Sequence, residues 1–295
     1  MSINGKLLSA AAAVTALGLA VAGPATAAPK TVSGDGGNRI GVRLGDGIAY
    51  AKQGALDAAW VRQSAHVKQI TLAGDRIGVL TDDGVAWVKD GGLGAAWVRQ
   101  STQVRQIALA GNRIGVVQAN GNAYVKDGTL TASWVPQAQN VTELELSGNR
   151  VGIVQSHGAA WAKQGTLTAS WVKQADNVVD IDLAGDRVGA FQGNGAAWVK
   201  EGALSATWVR VGGQVVQLEL SRDRIGILQS SGAAHVKDGA LTAPWVKQGD
   251  GVVQIALSGN RVGVVQGGGV ASVKQGTLTA PWVREASRVA ELAFS

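Results

Sequence analysis

The stretch that decides the fold runs Trp97-Val98-Arg99-Gln100, Val104-Arg105-Gln106-Ile107-Ala108-Leu109-Ala110, Gly111-Asn112, Arg113-Ile114-Gly115-Val116-Val117, Ala119-Asn120-Gly121-Asn122 and Ala123-Tyr124-Val125-Lys126. Residues 104–110 alternate with the period of two expected of a half-buried strand. Gly111-Asn112 and Asn120-Gly121 are turn signals, because their residues tolerate positive φ. Beyond Lys126 a loop over residues 127–131 leads to Ser133-Trp134-Val135. The unit thus holds four short antiparallel strand candidates, the content of one propeller blade. No window sustains a 3.6-residue period, which excludes a helical solenoid.

Outward from this stretch, the same unit recurs every 37 residues. Arginine follows Asn or Asp at Arg39, Arg76, Arg113, Arg150, Arg187, Arg224 and Arg261. The same step carries Gly41 to Gly263, Lys52 to Lys274 and Leu56 to Leu278 without exception, and every unit has its tryptophan: Trp60, Trp97, Trp134, Trp171, Trp208, Trp245 and Trp282. Seven units of 37 residues fill residues 37–295 with no insertion or deletion. Equal units favour a closed ring in which each occupies the same geometry, so the expected fold is all-β, a seven-bladed β-propeller with four short antiparallel strands per blade. A β-solenoid is the structural alternative, but it would need atypical capping units, and the end copies here are ordinary. The Val-x-x-Ile-x-Leu strand is expected innermost. Because the repeat frame opens on a second strand, Val289 to Phe294 should return to complete that blade and staple the ring.

Composition agrees. The 295 residues include 42 Gly and 5 Pro, with 46% hydrophobic content and 10 Trp, which suits many short strands and excludes collagen-like or disordered chains. There is no cysteine, so disulfides and thiolate sites are excluded. Residues 1–27 read as a signal peptide: Lys6 is the only charge, residues 7–23 are apolar, and Ala25-Thr26-Ala27 offers the small-x-small cleavage pattern. An uncleaved anchor is the alternative reading. Residues 28–36 are a short N-terminal segment, and a secreted, extracellular product with no membrane association after cleavage is expected. The net charge of +6 is spread at the repeat period, so nucleic acid is not an expected partner, whereas weak attraction to anionic cell-wall polymers or acidic sugars fits.

The pattern Trp-Val-x-Gln, Val-x-x-Ile-x-Leu-x-Gly-Asn-Arg-Ile-Gly-Val and Asn-Gly-x-Ala-Tyr-Val-Lys within residues 97–126 resembles the tectonin and tachylectin-like β-propeller repeats of secreted lectins. The resemblance covers residues 37–295 and implies binding of a glycan or cell-wall polymer without catalysis. A protein-interaction scaffold with no sugar ligand is the rival class.

Two constellations carry chemistry. With a hairpin centred near Leu56, Lys52 lies opposite Trp60 and Tyr50 opposite Arg62, all on one face of the sheet. The uniform Trp60 series reads as packing, its ring capped by the lysine. The position of Tyr50 varies instead: Tyr50, Trp87, Tyr124, Trp161, Trp198, His235 and Ser272. Flat side chains with a polar handle suit stacking on sugar faces, so Tyr50, Trp87, Tyr124, Trp161, Trp198 and His235 are the candidate carbohydrate-binding residues, against partial burial under an outer rim. The Arg39 series is expected to form salt bridges around the ring with acids such as Glu145, Asp182 and Glu219. His66, His157 and His235 fall at three phases of the repeat, and no two are spaced as metal ligands, so no metal, cofactor or catalytic group is expected.

Overall fold

The computed structural model describes residues 38–295; the expected signal peptide (1–27) and the segment 28–36 lie outside the described residues. All regular structure in this span is β, as 28 strands in seven four-stranded antiparallel sheets. One complete blade comprises β4 (Val67–Ala73), β5 (Arg76–Thr81), β6 (Ala86–Asp90) and β7 (Val98–Ser101), hydrogen-bonded in that order. The first strand of each sheet lies at the axis and contacts the first strand of the next blade, and β28 (Val289–Phe294) against β4 closes the ring.

Closure follows the sequence expectation. β28 pairs antiparallel with β1 (Arg39–Leu44), with Ile40 opposite Phe294 and Val42 opposite Leu292, and that blade continues through β2 (Ala49–Gln53) and β3 (Val61–Ser64). The two ends of the described chain therefore share one sheet, and neither end of the ring is left as an open edge.

Blades stack large face on small face. Ala49 and Ala51 of the first blade receive Ile70, Leu72, Val79, Trp87 and Trp97 of the second. The invariant glycine of the second strand is explained by this approach: a Cβ on Gly41 would lie 2.7 Å from Leu72 Cδ1, and one on Gly263 would lie 2.5 Å from Leu292 Cδ2. At the axis, glutamine side chains satisfy the free edge of the neighbouring inner strand. Gln69 donates to the Ile107 carbonyl and accepts from the Ile107 amide, each at 3.0 Å, and Gln106, Gln217 and Gln254 do the same to Leu144, Ile255 and Leu292. Buried backbone groups are thereby paired across blades. Glu291 holds the same position: it accepts from the Ile70 amide at 3.2 Å and pairs with Arg43 at 3.1 Å. Burial pushes its carboxyl up to about 7, against the opposing pull of Arg43.

The Arg39 series corrects one expectation. These guanidiniums are buried, but they do not bond Glu145, Asp182 or Glu219, which lie on inner strands. Each instead pairs with the end of its own third strand and donates to a loop carbonyl of the next blade. Arg76 meets Asp90 at 2.8 Å and the Gly128 carbonyl at 2.6 Å, and Arg261 closes the circle on Gly54. The physical reason is register: Arg76 stands opposite Asp90 across β5 and β6, whereas Glu145, Asp182 and Glu219 stand opposite Gly152, Gly189 and Gly226. Charged donors to backbone oxygen are strong bonds, so this ring stitches blade to blade.

Candidate functional site

The four-strand meander gives the propeller two unlike faces. One carries the turns between first and second strands and the long loops after the third strand. We call it the closure face. The other carries the turns between second and third strands and the links between blades, and we call it the groove face.

On the closure face each lysine of the Lys52 series is buried and stands over the tryptophan of its own blade, at 4.4–4.8 Å from the ring centroid in all seven copies. Its Nζ also donates to the loop carbonyl of the Leu56 series, as Lys89 does to Leu93. Burial, followed by the nearby Arg39, lowers the Lys89 pKa. The packing assigned to this series from sequence is thus present in every blade, although the indoles stay half-buried. The central channel opens on this face in a cavity of about 1290 Å³ lined by the Gly-Asn and Gly-Asp turns. Its serines are already used: Ser147 Oγ accepts from the Gly185 amide, and Ser295 Oγ accepts from the Arg39 amide.

On the groove face the Tyr50 series lies at the second residue of the third strand, beside the seam with the preceding blade. Tyr50, Trp87, Tyr124, Trp161, Trp198 and His235 are each half-buried, one per blade, and the ring distributes them rather than gathering any two in one pocket. The predicted register holds, with Tyr50 opposite Arg62 and Trp87 opposite Arg99. Trp87 lines a cleft of about 450 Å³ with Ala65 and His66 of the link and Thr81, Asp82, Asp83 and Val85 of the turn. Aromatic floor and polar rim are the usual composition of a small-ligand site.

The groove walls are held by bonds that the repeat makes general. Asp82 donates its amide to the His66 carbonyl at 2.8 Å, and Thr81 Oγ1 meets Asp83 at 2.5 Å. That hydroxyl holds the Asp83 carboxyl below its ordinary range, with Arg99 adding to the effect. In later blades a glutamine replaces Thr81. Gln155, Gln192 and Gln229 donate to the link carbonyls of Gln139, Asp176 and Gly213, and Gln155 also accepts from Trp161 Nε1 at 3.1 Å.

The link residue has left-handed backbone in each blade: φ is 56° at His66, 55° at Gln103 and Asn140, 56° at Asn177 and Gln214, 58° at Arg288 and 63° at Gly251. For the non-glycine residues this conformation costs on the order of 1–2 kcal/mol and persists only where the surroundings enforce it. It presents an exposed hydrogen-bonding side chain at the groove in six of the seven blades, Gly251 being the exception.

Of the three histidines, the sequence places only His235 at the candidate binding position; the structure brings His66 and His157 to the groove face as well. Three phases that look unrelated along the chain all lie on the groove face, because His66 is a link residue, His157 lies in the turn between second and third strands, and His235 takes the aromatic position itself. Each belongs to the groove of a different blade. Only the meander connecting link, turn and third strand reveals their kinship. Among the described residues no group of three His, Cys, Asp or Glu is placed to hold a metal ion.

No protein-family model matches the chain, and no curated protein matches it. Solved structures do. A bacterial surface component of the type-IX secretion system of Porphyromonas gingivalis, PorZ, superposes with a TM-score of 0.65 at 12% identity, over 89% of this chain and 38% of that one. Prp20p of Saccharomyces cerevisiae gives 0.57 at 13% identity over 70% of this chain and 71% of its own. The computationally designed protein Ika8 gives 0.56 at 15% identity over 88% and 86%. At these identities the likeness is one of propeller fold.

Proposed function

We propose that the chain is a secreted, non-catalytic, multivalent propeller that binds a glycan or cell-wall polymer in the grooves of its groove face. The observation that carries this reading is the repeated groove: a flat, hydrogen-bonding side chain above a braced link in six blades, with the seventh reduced to Ser272 and Gly251. Indole and phenol rings offer a sugar an apolar face and a polar edge, and the glutamines that tie turn to link hold that surface in advance of binding. Six similar weak sites on one rigid ring would raise avidity on a repeating polymer by about 10²-fold or more.

The test is a glycan array and peptidoglycan pull-down with the chain and with its Trp87→Ala, Trp161→Ala, Trp198→Ala triple variant. Binding lost by a variant that still unfolds cooperatively as a folded protein supports the reading; absence of binding to any polymer rejects it. A protein-interaction scaffold is the second reading, favoured by one observation: the fold neighbour Prp20p is described as binding Gsp1p and histones and has been crystallised with Kap60. On that reading the triple variant would leave binding of a protein partner intact.

A further inference from the structure

The two faces differ in exposed charge as well as in shape. Most basic side chains on the closure face are consumed inside the protein, by the Arg39 ring and the Lys52 ring, and apart from Arg222 what remains exposed there is acidic: Asp75, Asp90, Asp127, Asp186, Asp223 and Asp238. The groove face exposes both signs: Asp46, Asp82, Asp83, Asp176 and Asp250 lie in its turns and links, and a repeated base stands on the outer strand. The residue cross-strand from the aromatic position is Arg62, Arg99, Lys173, Arg210, Lys247 or Arg284, each exposed and each directly beside a groove; in the third blade Pro136 takes this place.

Availability decides what these bases can do. Arg62, Arg210 and Arg284 have no ion-pair partner among the described residues. Lys173 and Lys247 pair with Asp176 and Asp250 at 2.8 Å, but all four side chains are about half exposed or more. Exposed pairs of this kind are nearly neutral energetically, so an incoming anion can displace them at little cost. Outside the third blade, the cation cross-strand from the aromatic position is therefore exposed, in contrast to the Lys52 ring, whose charge is spent on indole and carbonyl and, at Lys52 itself, on Glu285.

We infer that the ligand is an acidic glycan, a polymer whose sugar units carry carboxylate or phosphate groups. This inference rests on the carbohydrate reading above and gives it a substrate class. Ring and cation lie on adjacent strands of one face, so a sugar stacked on Trp87, Trp161 or Trp198 would place an anionic substituent toward Arg99, Lys173 or Arg210. Arginine is suited to this because its planar fork matches carboxylate and phosphate alike. A nucleic acid is the less fitting polyanion, since the bases are set singly around a ring and do not form a dense stripe.

Calorimetric titration of the full chain with polygalacturonate, its fully methyl-esterified form, a poly(glycerol phosphate) chain and duplex DNA tests the inference. The expected result is binding of polygalacturonate or the phosphate polymer about tenfold tighter than the neutral ester at low salt, with the difference shrinking as salt screens it. An Arg62→Gln, Arg99→Gln, Arg210→Gln, Arg284→Gln variant should keep its melting temperature and bind acid and ester alike. Preference for one of the two acidic polymers supports the inference and names the group. Equal affinity of the unaltered chain for acid and ester overturns it while leaving the carbohydrate reading in place. Failure to bind any of the sugar polymers removes both, and DNA bound as tightly as the acidic glycans overturns the assignment to a glycan.

Discussion

The propeller carries two rings of aromatic side chains, and they obey different rules. The Trp60 ring on the closure face is identical in all seven blades, and each indole has a lysine over it at 4.4–4.8 Å. The Tyr50 ring on the groove face changes from Tyr to Trp to His to Ser, although each member occupies the same register and the same half-buried depth. Depth alone does not separate the two. What separates them is the regularity of the polar partner: the closure ring is capped by the protein's own lysines in all seven blades, while in the groove ring an internal bond is made at Trp161, to Gln155, and Trp87 lies in a cleft with braced walls. Uniformity marks the ring on which closure depends, and variation marks the ring on which it does not.

The comparison is broken most severely at the blade interface beneath both rings. Gly263→Ala puts a methyl 2.5 Å from Leu292 and 2.6 Å from Phe294, side chains packed between blades at the point where the ring closes. Overpacking of a dense core costs about 1–3 kcal/mol, and here the strand displaced is the one that joins the chain's ends, so chemical denaturation should show a loss near the upper value. A substitution of similar size in the open turn at Gly268, where an added Cβ meets nothing, should cost far less.

A smaller effect sharpens the axis. Folded Glu291 keeps its proton to about pH 7, whereas the unfolded carboxyl releases it near 4.5. Between these values the folded state binds more protons, so this group's contribution is complete below pH 4.5 and is lost as pH rises through 7. Glu291→Gln restores the glutamine present at Gln69, Gln106, Gln217 and Gln254 and removes the titration. Thermal melts should find the variant more stable at pH 8 by on the order of 1–2 kcal/mol, with the gain vanishing near pH 4.5, Arg43 being left as an unpaired cation that is itself partly exposed.

The smallest effect tests the seventh groove. Ser272→Trp should leave the melting temperature within about 1 °C, because the position is half-buried rather than sealed, and should add binding if the ring is a ligand surface. A large destabilisation would mean that the groove position is core.

Much of this was legible in the repeat. Strand number, blade count, the innermost strand and closure through Val289–Phe294 all follow from equal spacing and from the frame in which the repeat begins. The Lys52 and Trp60 stack also follows, since a hairpin about Leu56 fixes which residues share a face. The partners of the Arg39 series are not legible in the repeat, because closeness along the unit is not closeness in space; register sets Arg76 against Asp90. The groove itself was only half visible. Its aromatic position stands out by varying, but its link, turn and cation come from separate phases that meet only when the third strand folds back beside the inter-blade link. Net charge concealed the polarity of the faces, because the bases buried on one side cancel from view the acids exposed above them.

The most direct test of the central distinction is equilibrium urea unfolding of two matched triple variants: Trp97→Ala, Trp134→Ala, Trp171→Ala on the closure face, and Trp87→Ala, Trp161→Ala, Trp198→Ala on the groove face. Each closure-face indole is expected to cost about 2–3 kcal/mol, enough together to unfold the chain or nearly so, while the groove-face set stays folded with a loss of about 1 kcal/mol per residue or less. Equal losses in the two sets would contradict the account, because both rings would then be structural and no aromatic surface would be left for a ligand.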